Sequence, residues 1–515
     1  MNTEKANKET NKTKETKDAK STGTEAAKTK NKEKSSSRSP KTPNTAKLLK
    51  EIMDNHGMSI NMLDKESDIN KGVLSKILNC DVNMSTVNFQ KLLSSLPFTG
   101  EEKKEFYISY YSEMYGQNVI SSIEKIISQY NSVNDNQTSF TITKGLDTVP
   151  DGGFLNGKQN IYGAIYDITQ NAEWVYTNFS FDYDGGVLDD YFYSLVSDES
   201  KELSLVHFIE FYKIDCTDEN IKTYIRTLRY MNKKSFPVSL PSDKKVAGLS
   251  PLPFFVYSDN GLVFFGDDMG LLVSDKNALD AFSFYAKQLE KDAKPCGVHL
   301  NNLFELKNVT SASSTTKLTQ YYSLQTYPCI VFFLSLDDIM AVANPEGKLD
   351  LPLTYEQQVQ LFYAYYENYG RLIGKFSKSI CSVEGLDDFA LTGRFIEAPR
   401  AFSKPFSPEM RIHLLDRVAE MIEKDRAFVV DSKKLKIPQD ISLCFDNAGV
   451  SFFGDADKDY VGGAFYGFVD TPQFITAFSL LPEYLVNCGY VYEKENALRY
   501  IENAKAIARC QITEK

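Results

Sequence analysis

No stretch of this 515-residue chain reaches the ~18 consecutive apolar residues that a membrane-spanning helix needs. Its first residues also lack the apolar core of a secretory signal, so the expectation is a cytoplasmic protein with no membrane partner. Cysteine pairs are missing too. Cys80, Cys216, Cys296, Cys329, Cys381, Cys444, Cys488 and Cys510 are dispersed without a CxxC, the pattern of indifferent thiols in a reducing compartment. His56, His207, His299 and His413 lie too far apart for two to share a helix face. Cys296 and His299 could supply half of a zinc site, but no second pair completes it. GxSxG, GxGxxG and HExxH are absent, and GRLIGKFS (370–377) has the wrong glycine spacing for a phosphate loop. The alternating carboxylates Asp455, Asp457 and Asp459 open like a calcium loop, but Tyr460 stands where Gly is required and Tyr466 where Glu is. Asp182 to Gly186, DYDGG, fails the same test. No catalytic residue, no metal and no cofactor are therefore expected.

What is present is enough apolar material for more than one core: 42% hydrophobic residues in a chain longer than a usual single domain. Charge is unevenly spread. Residues 1–44 hold 12 Lys and Arg against 6 Asp and Glu, a net +6 within a chain of −11, which leaves −17 for residues 45–515. A basic arm on an acidic body is the asymmetry expected when one end meets a polyanion. The arm has almost no large apolar side chains, so disorder is expected there.

Residues 45–96 organise the rest. Leu48, Leu49, Ile52 and Met53 form a helical stripe that stops near Gly57. Ser59 can cap a short second helix with Met62 and Leu63 inward. Asn70 can cap a third, with Val73, Leu74, Ile77 and Leu78 inward and Lys71, Ser75, Lys76 and Asn79 outward. Two short helices joined by a tight turn, the second rich in donors, make a helix-turn-helix.

Through LKEIMDNHGMSINML, DINKGVLSKIL and STVNFQKLL, residues 49–93 resemble the DNA-binding domain of the phage-repressor and Cro type, the XRE family. The resemblance covers about a tenth of the chain. It implies a third helix lying in the major groove of double-stranded DNA, with Ser59, Asn61, Asn70, Lys71, Gly72, Ser75, Lys76 and Asn79 as the DNA-binding residues. Two positions depart from the family: Ile60 replaces a common Gln, and Cys80 replaces the Gly that often follows the recognition helix.

Beyond Pro97, Thr99 and Glu102 have the spacing of a capping box. Phe106, Tyr107, Tyr110, Tyr111 and Met114 form an aromatic stripe, read as core packing or as a dimer contact. A further helix, 119–130, leads into a polar linker. From Ser139 onward FTITKGL, IYGAIYDI, AEWVYTNFSFDY and DYFYSLV read as strands, whereas SLVHFIEFY and NIKTYIRTLRYM read as helices. Further helices are expected at 355–376 and 408–424. An internal echo joins SDNGLVFFGD (258–267) to FDNAGVSFFGD (445–455). Each is followed by a helix, at 278–289 and 472–485, and preceded by another, at 220–231 and 410–423, which points to two similar lobes.

The expected class is α+β, an N-terminal all-α helix-turn-helix domain followed by a large mixed body. Its divisions are a disordered arm 1–44, a helix-turn-helix 45–96, a helical connector 97–138 and two lobes, 139–300 and 301–515. The expected function is a DNA-binding transcriptional regulator that is not an enzyme. It would act as a homodimer, with a body that dimerises, senses a small-molecule effector or contacts a protein effector. Two alternatives stay open: an interaction scaffold whose helix-turn-helix has lost DNA, and a DNA-tethered enzyme with an unfamiliar site.

Overall fold

A computed structural model describes residues 44–135, 142–198, 200–201, 203–209, 223, 225–227, 230, 235–239, 251–295, 298–300, 321–330, 333–343, 354–357, 359–360, 363, 377–395, 403–437, 441–446, 450–455, 464–469 and 472–513. The basic arm, the run after Asp455, the GRLIGKF segment and the Cys296–Gly297 pair lie outside the described residues. The fold is α+β, with an N-terminal helical unit and two mixed lobes.

The helical unit is α1 (Asn44–Asn55), α2 (Ile60–Ser67), α3 (Lys71–Leu78), α4 (Thr86–Ser95), α5 (Gly100–Tyr115) and α6 (Gln117–Asp135). Its ends are set by local chemistry. Gly57 takes φ +60 just past α1, and the Ser59 hydroxyl accepts the Met62 amide at 3.4 Å. The Asn70 side chain accepts the Gly72 amide at 2.8 Å. Thr99 and Glu102 close both halves of a capping box. α3 ends in a Schellman turn, Asp81 N–H to Lys76 O at 2.8 Å and Cys80 N–H to Ile77 O at 3.0 Å. Cys80 therefore holds φ +61, a left-handed conformation that glycine adopts without penalty.

Each lobe is built on one sheet. In lobe 1, β1 (Phe154–Asn156), β2 (Trp174–Thr177), β3 (Ser204–Ile209), β4 (Ser235–Ser239), β5 (Phe254–Ser258), β6 (Gly261–Phe265) and β7 (Met269–Val273) lie in the order β1-β7-β6-β5-β2-β3-β4. β8 (Lys294–Pro295) adds to β4. In lobe 2, β9 (Val298–Leu300), β10 (Tyr321–Leu324), β11 (Ser377–Ser382), β12 (Ala427–Val430), β13 (Ile441–Asp446), β14 (Val450–Asp455) and β15 (Ala464–Val469) lie in the order β9-β15-β14-β13-β10-β11-β12. The two orders are the same permutation. In each sheet three strands run parallel, β2-β3-β4 and β10-β11-β12, and every other pairing is antiparallel.

Helices cover these sheets: α7 (Lys158–Thr169), α8 (Val187–Ser197) and α9 (Lys276–Asp292) in lobe 1, then α10 (Leu336–Val342), α11 (Val383–Thr392), α12 (Pro408–Glu423), α13 (Pro472–Asn487) and α14 (Lys494–Thr513) in lobe 2. In lobe 1, α7 and α8 pack on one face with Val175, Leu205, Val256 and Val263. The other face, with Phe208, Phe255, Tyr257 and Phe264, meets α9. In lobe 2, α11, α12 and α14 share one core. The opposite face is continuous with the whole helical unit through α13.

Three expected elements exchange identity. IYGAIYDI lies within α7 and DYFYSLV within α8, not in strands. Their buried residues recur at helical spacing: Ile161, Ala164, Ile165 and Ile168 in α7, Leu188, Tyr191, Phe192 and Leu195 in α8. Aromatic and β-branched composition had outweighed that period. Conversely, the first six residues of SLVHFIEFY are β3, a central strand buried on both faces, which therefore shows no alternation. The 142–146 part of FTITKGL is irregular, and the strand in AEWVYTNFSFDY is confined to Trp174–Thr177.

Replacing Cys80 by Gly removes a left-handed non-glycine residue at a helix end, and the C80G chain is expected to be about 0.5–1 kcal/mol more stable. The urea midpoint at constant m-value measures it.

Candidate functional site

The residues expected to read DNA occupy the start of α2 and the length of α3. Two are committed locally: Ser59 and Asn70 spend their side-chain oxygens on helix caps. Asn61, Lys71, Gly72, Lys76 and Asn79 are exposed and Ser75 is half-buried. The surrounding charge is balanced. Between residues 44 and 96, Lys47, Lys50, Lys65, Lys71, Lys76 and Lys91 are matched by Glu51, Asp54, Asp64, Glu66, Asp68 and Asp81. Lys91 is further tied to Asp68 at 3.0 Å. Such a surface offers little net attraction to a phosphate backbone, whose binding is driven by neutralising cations. It also carries apolar side chains in water: Met62 on α2 and Val73 on α3, with Val82 and Val87 further along.

The opposite side of the helical unit is docked. α13 lies between α5 and α6 on one side and the lobe 2 sheet on the other. The Glu483 carboxylate accepts hydrogen bonds from Gln90 Nε2 at 3.2 Å, the Tyr111 hydroxyl at 3.0 Å and the Tyr322 hydroxyl at 3.4 Å. The Tyr107 hydroxyl donates to the Leu480 carbonyl at 3.4 Å, and that of Tyr484 to Glu124 at 3.0 Å. Burial pushes the phenols of Tyr107, Tyr111, Tyr130 and Tyr484 upward, so they remain neutral donors. The aromatic stripe of α5 is the sequence signal for this joint. Its partner lies more than 370 residues away in the chain and left no local trace.

Lobe 1 holds a polar cluster at the carboxyl end of β2. In the turn after β2, Asp184 takes φ +48 and receives both Lys158 Nζ at 2.5 Å and the Tyr162 hydroxyl. The Tyr183 hydroxyl donates to Gly266 O at 2.6 Å, beside the Asp267–Asp268 turn. The Asp184 hydrogen bond, with Asp268 and Asp267 nearby, raises the Lys158 pKa and keeps it an ammonium ion. An ammonium ion held by carboxylates is neither a nucleophile nor a base. Below this turn Asp189, fully buried, pairs with Arg226 Nη1 at 2.7 Å and accepts the Tyr230 hydroxyl at 2.6 Å, an ion pair that fixes α8. These residues include both Asp182–Gly186 and Asp267–Asp268, and among the described residues no group of three or more ligands is arranged to hold a metal.

His207 lies on β3 between the rings of Phe179 and Phe181, its Nδ1 against the Thr177 hydroxyl. Burial drives its pKa down to about 3, so the imidazole is neutral. Cys381 and Cys488 are buried thiols pushed up to about 12 and inert as nucleophiles.

No family model matches the chain, and no curated protein does. Among solved structures it is similar to the phosphatidylserine synthase of Haemophilus influenzae Rd KW20, with 10% identity and a TM-score of 0.24, over 76% of this chain and 98% of that one. The expectation of a DNA-binding transcriptional regulator is corrected here: the unit expected to read DNA carries six lysines against six carboxylates, and its opposite side is docked on α13. The physical reason is that amphipathic spacing and caps specify how four short helices pack, whereas affinity for DNA depends on surface charge that the packing leaves free. No helix among the described residues is long and apolar enough to cross a membrane.

A neutral buried imidazole destabilises the fold in acid, because the unfolded chain takes up a proton below its ordinary pKa of 6.5 while the folded chain resists until about 3. Stability is therefore complete above 6.5 and falls as the pH drops toward 3, by about 3 kcal/mol at pH 4.5. His207→Gln should flatten that limb in urea titrations run across this range, whatever it does to stability at pH 7.

Proposed function

We propose that the protein is an interaction scaffold: a duplicated α+β body that carries a repressor-like helical unit and presents the α2–α3 surface to a protein partner. The observation that supports this most is the pairing of a charge-balanced outer surface bearing exposed Met62 and Val73 with an inner side locked onto α13. Exposed apolar side chains ringed by both signs of charge suit a protein interface, whose centre is apolar and whose rim is polar. A rigid joint lets the body hold that surface in a fixed orientation. The ionisable groups of lobe 1 lend support, since Lys158 and His207 are held in states that do not exchange protons near neutral pH.

Photo-crosslinking amino acids placed at positions 62 and 73 of the full chain, expressed in its own cell, test this reading, with exposed position 413 on α12 as a control. The expected result is one recurrent protein captured from 62 and 73, absent from 413, and lost when the other of the two positions carries Asp. Enrichment of a two-fold motif from pooled random duplexes by the full chain at moderate salt would overturn it, as would equal capture from all three positions.

A further inference from the structure

The two lobes match strand for strand, yet they are not covered alike. α9 follows β7 as α13 follows β15, and both carry the triplet Ala-Phe-Ser, Ala281-Phe282-Ser283 and Ala477-Phe478-Ser479. Phe282 faces its own sheet, meeting Phe255, Tyr257 and Phe264, and Phe478 at the equivalent place is fully buried. In this alignment Phe284 stands at the place of Leu480, Lys287 at Glu483 and Gln288 at Tyr484. In lobe 2 the helical unit buries that outer stripe: Ala477 is 1% exposed, Leu480 9% and Tyr484 1%. In lobe 1 the same stripe is open. Ala281 and Gln288 are exposed, and Phe284 is 76% exposed in the middle of the helix. Phe154 on the edge strand β1 and Met269 on its neighbour β7 are likewise exposed and lie on the sheet face that α9 covers.

From this we infer that the outer face of α9 is a dimer interface, and that its occupant is α9 of a second copy of this chain, packed antiparallel about a twofold axis near Phe284. The charge pattern selects this occupant. Asp280 and Lys287 are exposed, lie four residues before and three after Phe284, and so share its stripe. Neither has an ion-pair partner among the described residues. In an antiparallel pairing centred there, each Asp280 faces the other copy's Lys287, and the two Phe284 side chains lie beside one another at the axis. That is the self-complementarity an isologous interface requires. The helical unit of a second copy fits less well. Its Gln90, Tyr107 and Tyr111 are already seated on that copy's own α13.

Sedimentation equilibrium of the full chain tests the inference. The unaltered chain should show a concentration-dependent dimer, and Phe284→Glu should be monomeric with an unchanged far-ultraviolet circular-dichroism spectrum, since within one copy that ring makes no buried contact to lose. Asp280→Lys and Lys287→Asp should each weaken the dimer at least tenfold by placing like charges together. The double exchange Asp280→Lys with Lys287→Asp should restore it. A monomer at every concentration overturns the interface. So does a dimer indifferent to Phe284→Glu, and failure of the double exchange to recover what each single change lost overturns the antiparallel pairing.

Discussion

The seating of α13 between the helical unit and the lobe 2 sheet is the contact on which the remaining architecture depends. α5 and α6 present Tyr107, Tyr111, Ile123, Ile127 and Tyr130 to it, and the sheet presents Tyr322, Leu324, Ile380 and Leu443. Each large side chain fully removed from water there contributes roughly 2–3 kcal/mol before entropy is counted. Because the apolar surface is continuous, the helical unit does not behave as a bead on a linker. Glu483 adds direction: a carboxylate facing three neutral donors on α4, α5 and β10 fixes how the helices sit, since any rotation leaves an acceptor without its bond.

Duplication explains why such a joint exists on one side only. Two sheets of one topology each place a helix, α9 or α13, across the same face, and each of those helices has an outer stripe. Among the described residues one helical unit is present, and it covers the α13 stripe. The bare stripe on α9 is a consequence of building two lobes from one pattern. Its residues have diverged accordingly, with Lys287 where lobe 2 has Glu483 and Gln288 where it has Tyr484.

The chemistry of the interior fits a structural rather than a reactive role for the groups that resemble catalysts. His207 is held neutral by burial among aromatic rings, Lys158 is held charged by Asp184, and the buried Asp189 carboxylate is met by Arg226 and Tyr230. The pairing at Asp189 lowers the cost of burying a charge inside a sheet-and-helix sandwich. The left-handed conformations at Asp184 and Asp68, both at turns that begin or end helices, follow from chain reversal, and a short polar side chain tolerates them best.

What the sequence by itself determined is local. Ser59, Asn70 and the Thr99–Glu102 pair mark helix starts, Gly57 marks a stop, and the repeated DN-turn hairpin announces a duplicated body; each works within one or two turns of chain. Which short apolar runs are helices was decided by tertiary structure. Residues 161–168 and 190–196 bury one helical stripe against a sheet, whereas 204–209 is buried on both faces and pairs with strands on either side. The eight residues expected to read DNA lie along α2, α3 and their caps, and what such a surface binds depends on the field of the whole unit and on what its far side touches. The partner of Tyr107 is Leu480, and the environment of Phe284 is set by the absence of an equivalent neighbour. Burial is a property of two surfaces, and a single strand of letters specifies only one of them at a time.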